Sequence, residues 1–460
     1  MGKDSSITDF SRVHFVGVAG SGMAGLAYVA HKSGLKISGS DLKQSSYVQA
    51  LLREGVELVF DHKAQNVADP TIELVVASTA IPATNPEIIA AHERGIPVWP
   101  RARMLAWLGR NHQVLAVAGT HGKTTTSSML ATALMKLQAD PSFLIGGVLN
   151  EYDSSARYSQ SKYMVVEADE SDASFIELEP YLEIITNIEA DHLDHYTSLE
   201  DIKQSFQAFL GRLKPDGIAI VCSDSPGLTA LAQQSGRPWL SYGSAATAQV
   251  RLEAERSEVC FADGERVSIK LDKAPGQHNL LNATAVLAAL DWLGYERQAA
   301  ASALCTYQGA HRRFDSIGKA NGVLVVDDYA HHPTEIAATL QAARGLGFSA
   351  VHVLFQPHRY TRTEAFLDGF AQAFDDATTL TLMPIYTAGE AAIAGIDSQK
   401  LLEAIRQHNP ASRLSLSEDR QSLAEAMVDL AEPGSIIITM GAGDVTDLAP
   451  EILARLQKLE

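Results

Sequence analysis

Cysteine, basic charge and long apolar runs are the scarce features of this chain, and each shortage excludes something. Only Cys222, Cys260 and Cys305 occur in 460 residues, far apart and without metal-ligand spacing, so a disulfide framework and a cysteine metal cluster are excluded. They read as buried thiols of a reducing compartment. Lys and Arg number 37 against 55 Asp and Glu, a formal charge of −18. A chain without a basic surplus does not neutralise a polyphosphate backbone, which excludes general nucleic-acid binding while leaving room for a local nucleotide pocket. No run approaches the ~18 apolar residues of a membrane helix, and MGKDSSITDF carries no apolar signal core. The expectation is a soluble, cytoplasmic protein with neither nucleic acid nor membrane as partner. What is present is ordinary globular composition, 46% hydrophobic and 20% charged. At domains of ~150 residues the length predicts about three.

The richest stretch is Val114 to Thr126, VLAVAGTHGKTTT. An apolar strand, Val114–Ala118, runs into a glycine turn, Gly119-Thr120-His121-Gly122, and then into Lys123, Thr124, Thr125 and an apolar-spaced helix. Strand, turn and helix N-terminus together point backbone N–H groups and the helix dipole at one spot, which suits phosphate. Lys123 reaches terminal phosphates and the Thr124 hydroxyl suits Mg²⁺. The usual G-x-x-x-x-G-K-[ST] pattern is incomplete, because Val117 stands at its first glycine.

A second glycine turn follows the strand Val13–Val16. Gly17 leads to Gly20, Ser21, Gly22, Met23 and Gly25, which satisfy G-x-G-x-x-G, and Asp41 follows the next strand. The pattern suits a dinucleotide such as NAD, or another pyrophosphate such as that of a UDP-sugar. Strand Glu73–Ala77 ends in Ser78-Thr79. The polar break Gly109-Arg110-Asn111-His112 places a domain boundary, giving 1–109 and 110–312.

Acids then gather at strand ends. Tyr163–Val166 ends in Glu167-Ala168-Asp169-Glu170, and Leu182–Ile185 runs into TNIEADHLDH with Asp191 and His192. Open α/β sheets put ligands at the carboxyl ends of strands, and clustered carboxylates beside a phosphate loop suit Mg²⁺. Val250–Leu271 reads as a β meander. GQHNLLN opens an apolar helix, where Asn279 and Asn282 share a face or cap the helix. QGAHRRF, with Arg313, suits a hinge touching phosphate before a third α/β region, 313–460. There Val323–Val326 ends in DDYAHHPTE and Val351–Phe355 in QPHRYTR, and Ile436–Met440 closes the pattern.

GTHGKTTT, EADESD, TNIEADHLDH, GQHNLLN, HRRFD and DDYAHHPTE, in this order and across nearly the whole chain, closely resemble the Mur ligases, ATP-dependent amide ligases of peptidoglycan precursor synthesis. GVAGSGMAGLA, FQPHRYTRT and MGAGDV resemble the branch that joins L-alanine to UDP-N-acetylmuramate. The branch that attaches a whole tripeptide to the same sugar is the alternative. The resemblance implies a Rossmann-like UDP-binding domain, a central P-loop domain and a C-terminal Rossmann-like domain. It also implies ATP and Mg²⁺, an acyl-phosphate intermediate, and a monomer or weak homodimer. Lys123, Glu167 and His192 would be catalytic, with Thr124, Glu167 and His192 on the metal. ATP would meet Gly119, Thr120, His121, Gly122, Lys123, Thr124, Thr125, His278, Asn279, Asn282, Arg313 and, at its ribose, Asp328. Gly17, Gly20, Ser21, Gly22, Met23, Asp41, Ser78 and Thr79 would take the UDP-sugar, overruling the NAD reading. Tyr329, His331, His358 and Arg362 would surround the amino acid. Where several relatives carry a carbamylated lysine, this chain has Phe206 and Gln207, with Lys203 out of register, so no such lysine is expected.

Overall fold

The computed structural model describes residues 9–171, 173–191, 196–417 and 419–459, and these build three sheets in a three-domain α/β architecture. The first sheet is parallel, in the order Glu57–Val59, Lys36–Ser40, Arg12–Val16, Leu74–Ala77, Val98–Pro100. Val13 to Val16 are fully buried, as strands covered on both faces must be. The order reverses around Arg12–Val16, so the turn Gly17–Met23 lies at the switch point where such sheets open a crevice.

The central sheet has ten strands, and Gln113–Ala118 lies between Leu182–Ile185 and Tyr163–Glu167, parallel to both. The pairing Ala118↔Ile185 and Val117↔Glu167 brings the phosphate loop and the two acid-bearing strand ends to one edge. The expected β meander is three short strands, Val250–Glu253, Glu258–Cys260 and Arg266–Ser268, at the far side of this sheet.

The third sheet runs Asp315–Ala320, Val323–Asp328, Ile436–Met440, Val351–Phe355, Thr379–Leu382, Arg413–Leu416. Asp315–Ala320 was not legible as a strand, being polar and broken by a bulge between Ser316 and Gly318. Val323–Asp328 also runs two residues beyond the apolar stretch. Parallel pairing with Thr439 and Met440 draws Asp327 and Asp328 into the sheet, and hydroxyls of Thr439 and Thr446 donate to the Asp327 carboxylate at 2.6 and 2.7 Å.

One apolar core runs from one face of the first domain's sheet through the central domain. The first domain's other face has a small core of its own around Val16, Val75 and Ile88, and the third domain has separate cores on the two faces of its sheet. Gly25 shows the join. A Cβ there would stand 3.2 Å from both Ala156 and Leu144, so this glycine lets the first domain's helix Ser21–Lys32 pack on the central domain.

Candidate active site

The phosphate loop needs glycine twice. Gly119 has φ +129 and Gly122 φ +82, both left-handed, and a Cβ on Gly122 would stand 2.9 Å from Asn282 Oδ1. Gly122 caps helix Lys123–Lys136 with its backbone alone. The loop is laced to the strand end at 186–189: Thr120 N donates to Asn187 O at 3.0 Å, His121 N to Asn187 Oδ1 at 2.9 Å, and Thr186 Oγ1 to His121 O at 2.6 Å. Those hydrogen bonds hold the nest open.

Lys123 is enclosed. Its Nζ donates to Glu170 Oε1 at 2.8 Å, to Gly119 O at 2.7 Å and to Thr120 O at 3.2 Å. Burial lowers the Lys123 pKa, but Glu170 and Asp169 outweigh it and the net shift is upward. Burial pushes Glu170 up to about 7 against the pull of Lys123. The sequence marked this acid only as part of an acidic cluster at a strand end, and the fold makes it the partner of Lys123.

Of the residues expected on the metal, Thr124 Oγ1 donates to Glu167 Oε1 at 3.1 Å, and Gly146 N donates to Glu167 Oε2 at 2.8 Å. Arg313 Nη2 reaches Thr124 Oγ1 at 3.4 Å. The hydroxyl and carboxylate oxygens, side by side at the phosphate loop, are the hard donors Mg²⁺ prefers. His192 lies outside the described residues. Among the described residues a different trio, His121, Glu189 and His332, brings three potential ligand atoms within 4.8 Å of one another. There, however, His332 Nδ1 accepts from Thr334 N at 3.4 Å, and His121 Nδ1 is 3.1 Å from Glu335 Oε1. That trio is therefore a polar contact between the central and third domains, not an oxygen-rich Mg²⁺ site.

A cavity of about 180 Å³ opens beside the loop, walled by His121, Gly122 and Thr125 and by His278, Asn279 and Asn282 from helix Gln277–Trp292. Arg313, Phe314 and Asp328 close it from the third domain. Gly119, Thr120, Lys123 and Thr124, also expected on ATP, do not line it. Asn279 and Asn282 do not cap the helix, whose N-cap is Gly276. Asn279 Nδ2 donates to Pro275 O at 2.9 Å and Asn282 Nδ2 to Asn279 Oδ1 at 3.3 Å, and the Asn282 amide stands against Gly122 of the loop. Asp328 accepts from Phe314 N and Ala330 N at 2.7 and 2.8 Å, and burial still raises its pKa to about 6. Arg312 (φ 60) and Phe314 (φ 48) flank Arg313 in left-handed backbone, a strained crossing between the domains.

A wider groove of about 620 Å³ joins the first glycine turn to the metal side. Gly20, Ser21, Gly22, Met23, Ser78 and Thr79 line it, with Glu167 and Asp169 at its far end. Gly17 and Asp41 do not. Gly17 (φ +79) shapes the turn, and the Asp41 carboxylate accepts from Ala19 N at 2.8 Å, Leu42 N at 2.7 Å and Lys43 N at 3.2 Å, pinning it. Arg101 and Arg359 also line the groove; Arg101 carried no sequence signal beyond its charge, and Arg359 was marked only as part of the FQPHRYTRT stretch.

The four acceptor-side residues do gather. The His331 ring lies 5.2 Å from that of Tyr329 and 5.8 Å from that of His358, and Arg362 Nη1 is 3.4 Å from His358 Nδ1. Burial depresses both imidazoles, His331 to about 3 and His358 to about 4, so both are neutral near pH 7. Arg362 Nη2 donates to Asp191 Oδ1 of the central domain at 2.9 Å, while its buried Nε has no partner among the described residues. An unpaired buried guanidinium N–H suits a carboxylate.

Comparison with known proteins matches this chain to one family. The family models "Mur ligase family, catalytic domain", "Mur ligase middle domain" and "Mur ligase, glutamate ligase domain" match residues 12–113, 117–290 and 312–443. The chain is 42% identical over 454 residues to UDP-N-acetylmuramate–L-alanine ligase of Pelotomaculum thermopropionicum, covering 97% of this chain and 98% of that one. It is 40% identical to the enzyme of the same name from Myxococcus xanthus, covering 97% of this chain and 95% of that one. Among solved structures, UDP-N-acetylmuramate-alanine ligase of Thermotoga maritima superposes with a TM-score of 0.81 at 28% identity, covering 98% of this chain and all of that one. A murein peptide ligase of Psychrobacter arcticus shares the fold, with a TM-score of 0.71 at 24% identity, 97% of this chain and 99% of that one. The chain belongs to the Mur ligase family.

Proposed function

We propose that this chain joins L-alanine to the carboxylate of UDP-N-acetylmuramate in peptidoglycan precursor synthesis, using ATP and passing through an acyl phosphate. Full-length similarity to ligases of that name carries the reading. The division of labour follows the three regions: 1–109 for the UDP-sugar, 110–312 for ATP, and 313–460 for the amino acid and part of ATP.

The groove runs from the first glycine turn to Glu167, a layout that suits a long substrate. Its pyrophosphate would rest on the N-terminus of helix Ser21–Lys32, beside Arg101, and its carboxylate would reach the phosphate loop. Lys123, released from Glu170 toward phosphate, would offset the charge on the transferring phosphoryl oxygens, and Arg313 would approach from the hinge. Thr124 and Glu167, with His192, would hold Mg²⁺, which neutralises phosphate charge. Asn279, Asn282 and His278 would line the nucleotide, and Asp328 would take its ribose hydroxyls. The alanine carboxylate would meet Arg362, with Tyr329, His331 and His358 around the amine and methyl. Bringing the amine against the acyl carbon is then a matter of positioning.

ADP release should require UDP-N-acetylmuramate and L-alanine together. Equal turnover with the tripeptide would move the chain to the recycling branch, and turnover without the sugar would remove the reading. No helix among the described residues is long and apolar enough to cross a membrane.

A further inference from the structure

We infer that Glu335 is a positioning residue that couples the phosphate loop to the amino-acid pocket; the inference rests on the ligase reading above. Glu335 stands in the first turn of helix Pro333–Gly345, where the helix dipole supports a negative charge. Its two oxygens face two different sites. Oε1 is 3.1 Å from Nδ1 of His121, the histidine of the phosphate loop. Oε2 accepts from the backbone N of His331 at 3.2 Å and lies 3.4 Å from His331 Nδ1.

The second contact sets a tautomer. His331 Nδ1 also lies 3.0 Å from Tyr329 O, so two acceptors face it and Nδ1 carries the hydrogen. Nε2 then keeps its lone pair, an acceptor for an N–H of the incoming amine. The first contact fixes the loop: His121 is pressed between Glu335 and Glu189, whose Oε2 is 3.5 Å from Nε2 and in turn accepts from Thr334 Oγ1 at 2.9 Å. Residues 331–335 of the third domain thus meet residues 121 and 189 of the central domain through one small polar cluster. A carboxylate here would repel nucleotide phosphates, so its part is not to bind them. A shift of the loop as phosphate enters changes the position of His121, and Glu335 passes that change to the His331 ring.

Steady-state kinetics on the whole enzyme tests this, with KM measured separately for ATP, L-alanine and UDP-N-acetylmuramate. Glu335→Gln should raise the KM for L-alanine about tenfold, the loss of one charge-assisted hydrogen bond, and leave that for the UDP-sugar unchanged. His121→Asn, on the loop side of the cluster, should also raise the alanine KM, and this effect should vanish in the Glu335→Gln background. A merely structural role would move all three KM values and lower Tm. Glu335→Asp, which keeps the charge, should restore part of the alanine KM and serves if Glu335→Gln does not fold. An unmoved alanine KM in an active Glu335→Gln enzyme, or additive effects of the two changes, overturns the inference alone. Failure of the unmodified enzyme to use L-alanine overturns the ligase reading, and the inference with it.

Discussion

The two glycine turns use one backbone device for different ends. Each follows a buried parallel strand and opens a helix, and each leaves helix N-terminal N–H groups of the kind that suit phosphate. At the first turn the N-cap, Gly20, has ordinary extended backbone, and a Cβ there would meet nothing closer than 3.9 Å. No lysine follows, and the nearest cation, Arg101, comes from another helix. At the second turn both glycines are left-handed, the next residue is Lys123, and acids from the end of the strand Tyr163–Glu167 surround it. The first turn suits a pyrophosphate that is held and left intact. The second suits a phosphoryl group in transfer, where mobile positive charge must meet developing negative charge.

The largest expected effect separates charge from fold at the second turn. Lys123→Ala should lower kcat by about 10²–10³-fold or more. It should also destabilise, because Glu170 is left buried without its partner, by at most about 3–5 kcal/mol and less where Glu170 takes up a proton. Combining it with Glu170→Gln should restore Tm without restoring turnover. If the double variant turned over near normally, Lys123 would not belong to the transfer step.

Glu167→Gln comes next. It keeps shape and the hydrogen bond from Thr124 but removes charge, so the Mg²⁺ needed for half-maximal rate should rise about 10–100-fold. An unchanged Mg²⁺ titration would take Glu167 off the metal side.

The glycines compare the turns directly. Gly122→Ala places a side chain in left-handed backbone against Asn282 and should cost about 1–2 kcal/mol as well as ATP affinity. Gly20→Ala should leave Tm nearly unchanged and raise only the KM for the UDP-sugar. Equal destabilisation by both would mean the first turn is as strained as the second.

The smallest effect concerns the acceptor. Arg362→Lys loses the fork that a carboxylate pairs with, so the alanine KM should rise about tenfold with the ATP KM steady. A shift in the ATP KM instead would assign Arg362 to the nucleotide.

By itself the sequence determined the elements and their chemistry. The apolar run Val114–Ala118, followed by a glycine turn, reads as a buried strand, and a lysine after that turn at a helix start suits a phosphate site. Motif order also identified the family, because linear spacing is what a motif records. It did not reveal pairings set by packing. Glu170 as the partner of Lys123, Glu335 between His121 and His331, and Asp191 on Arg362 join residues 47, 214, 4 and 171 positions apart. Nor did it show Asp41 turned onto its own loop, or Asp315–Ala320 as a strand. Tertiary structure decided these, because which buried charge meets which depends on how strands, turns and helices are brought together, within a domain for Lys123 and Glu170 and between domains for His121 and Glu335, and local pattern carries no record of that.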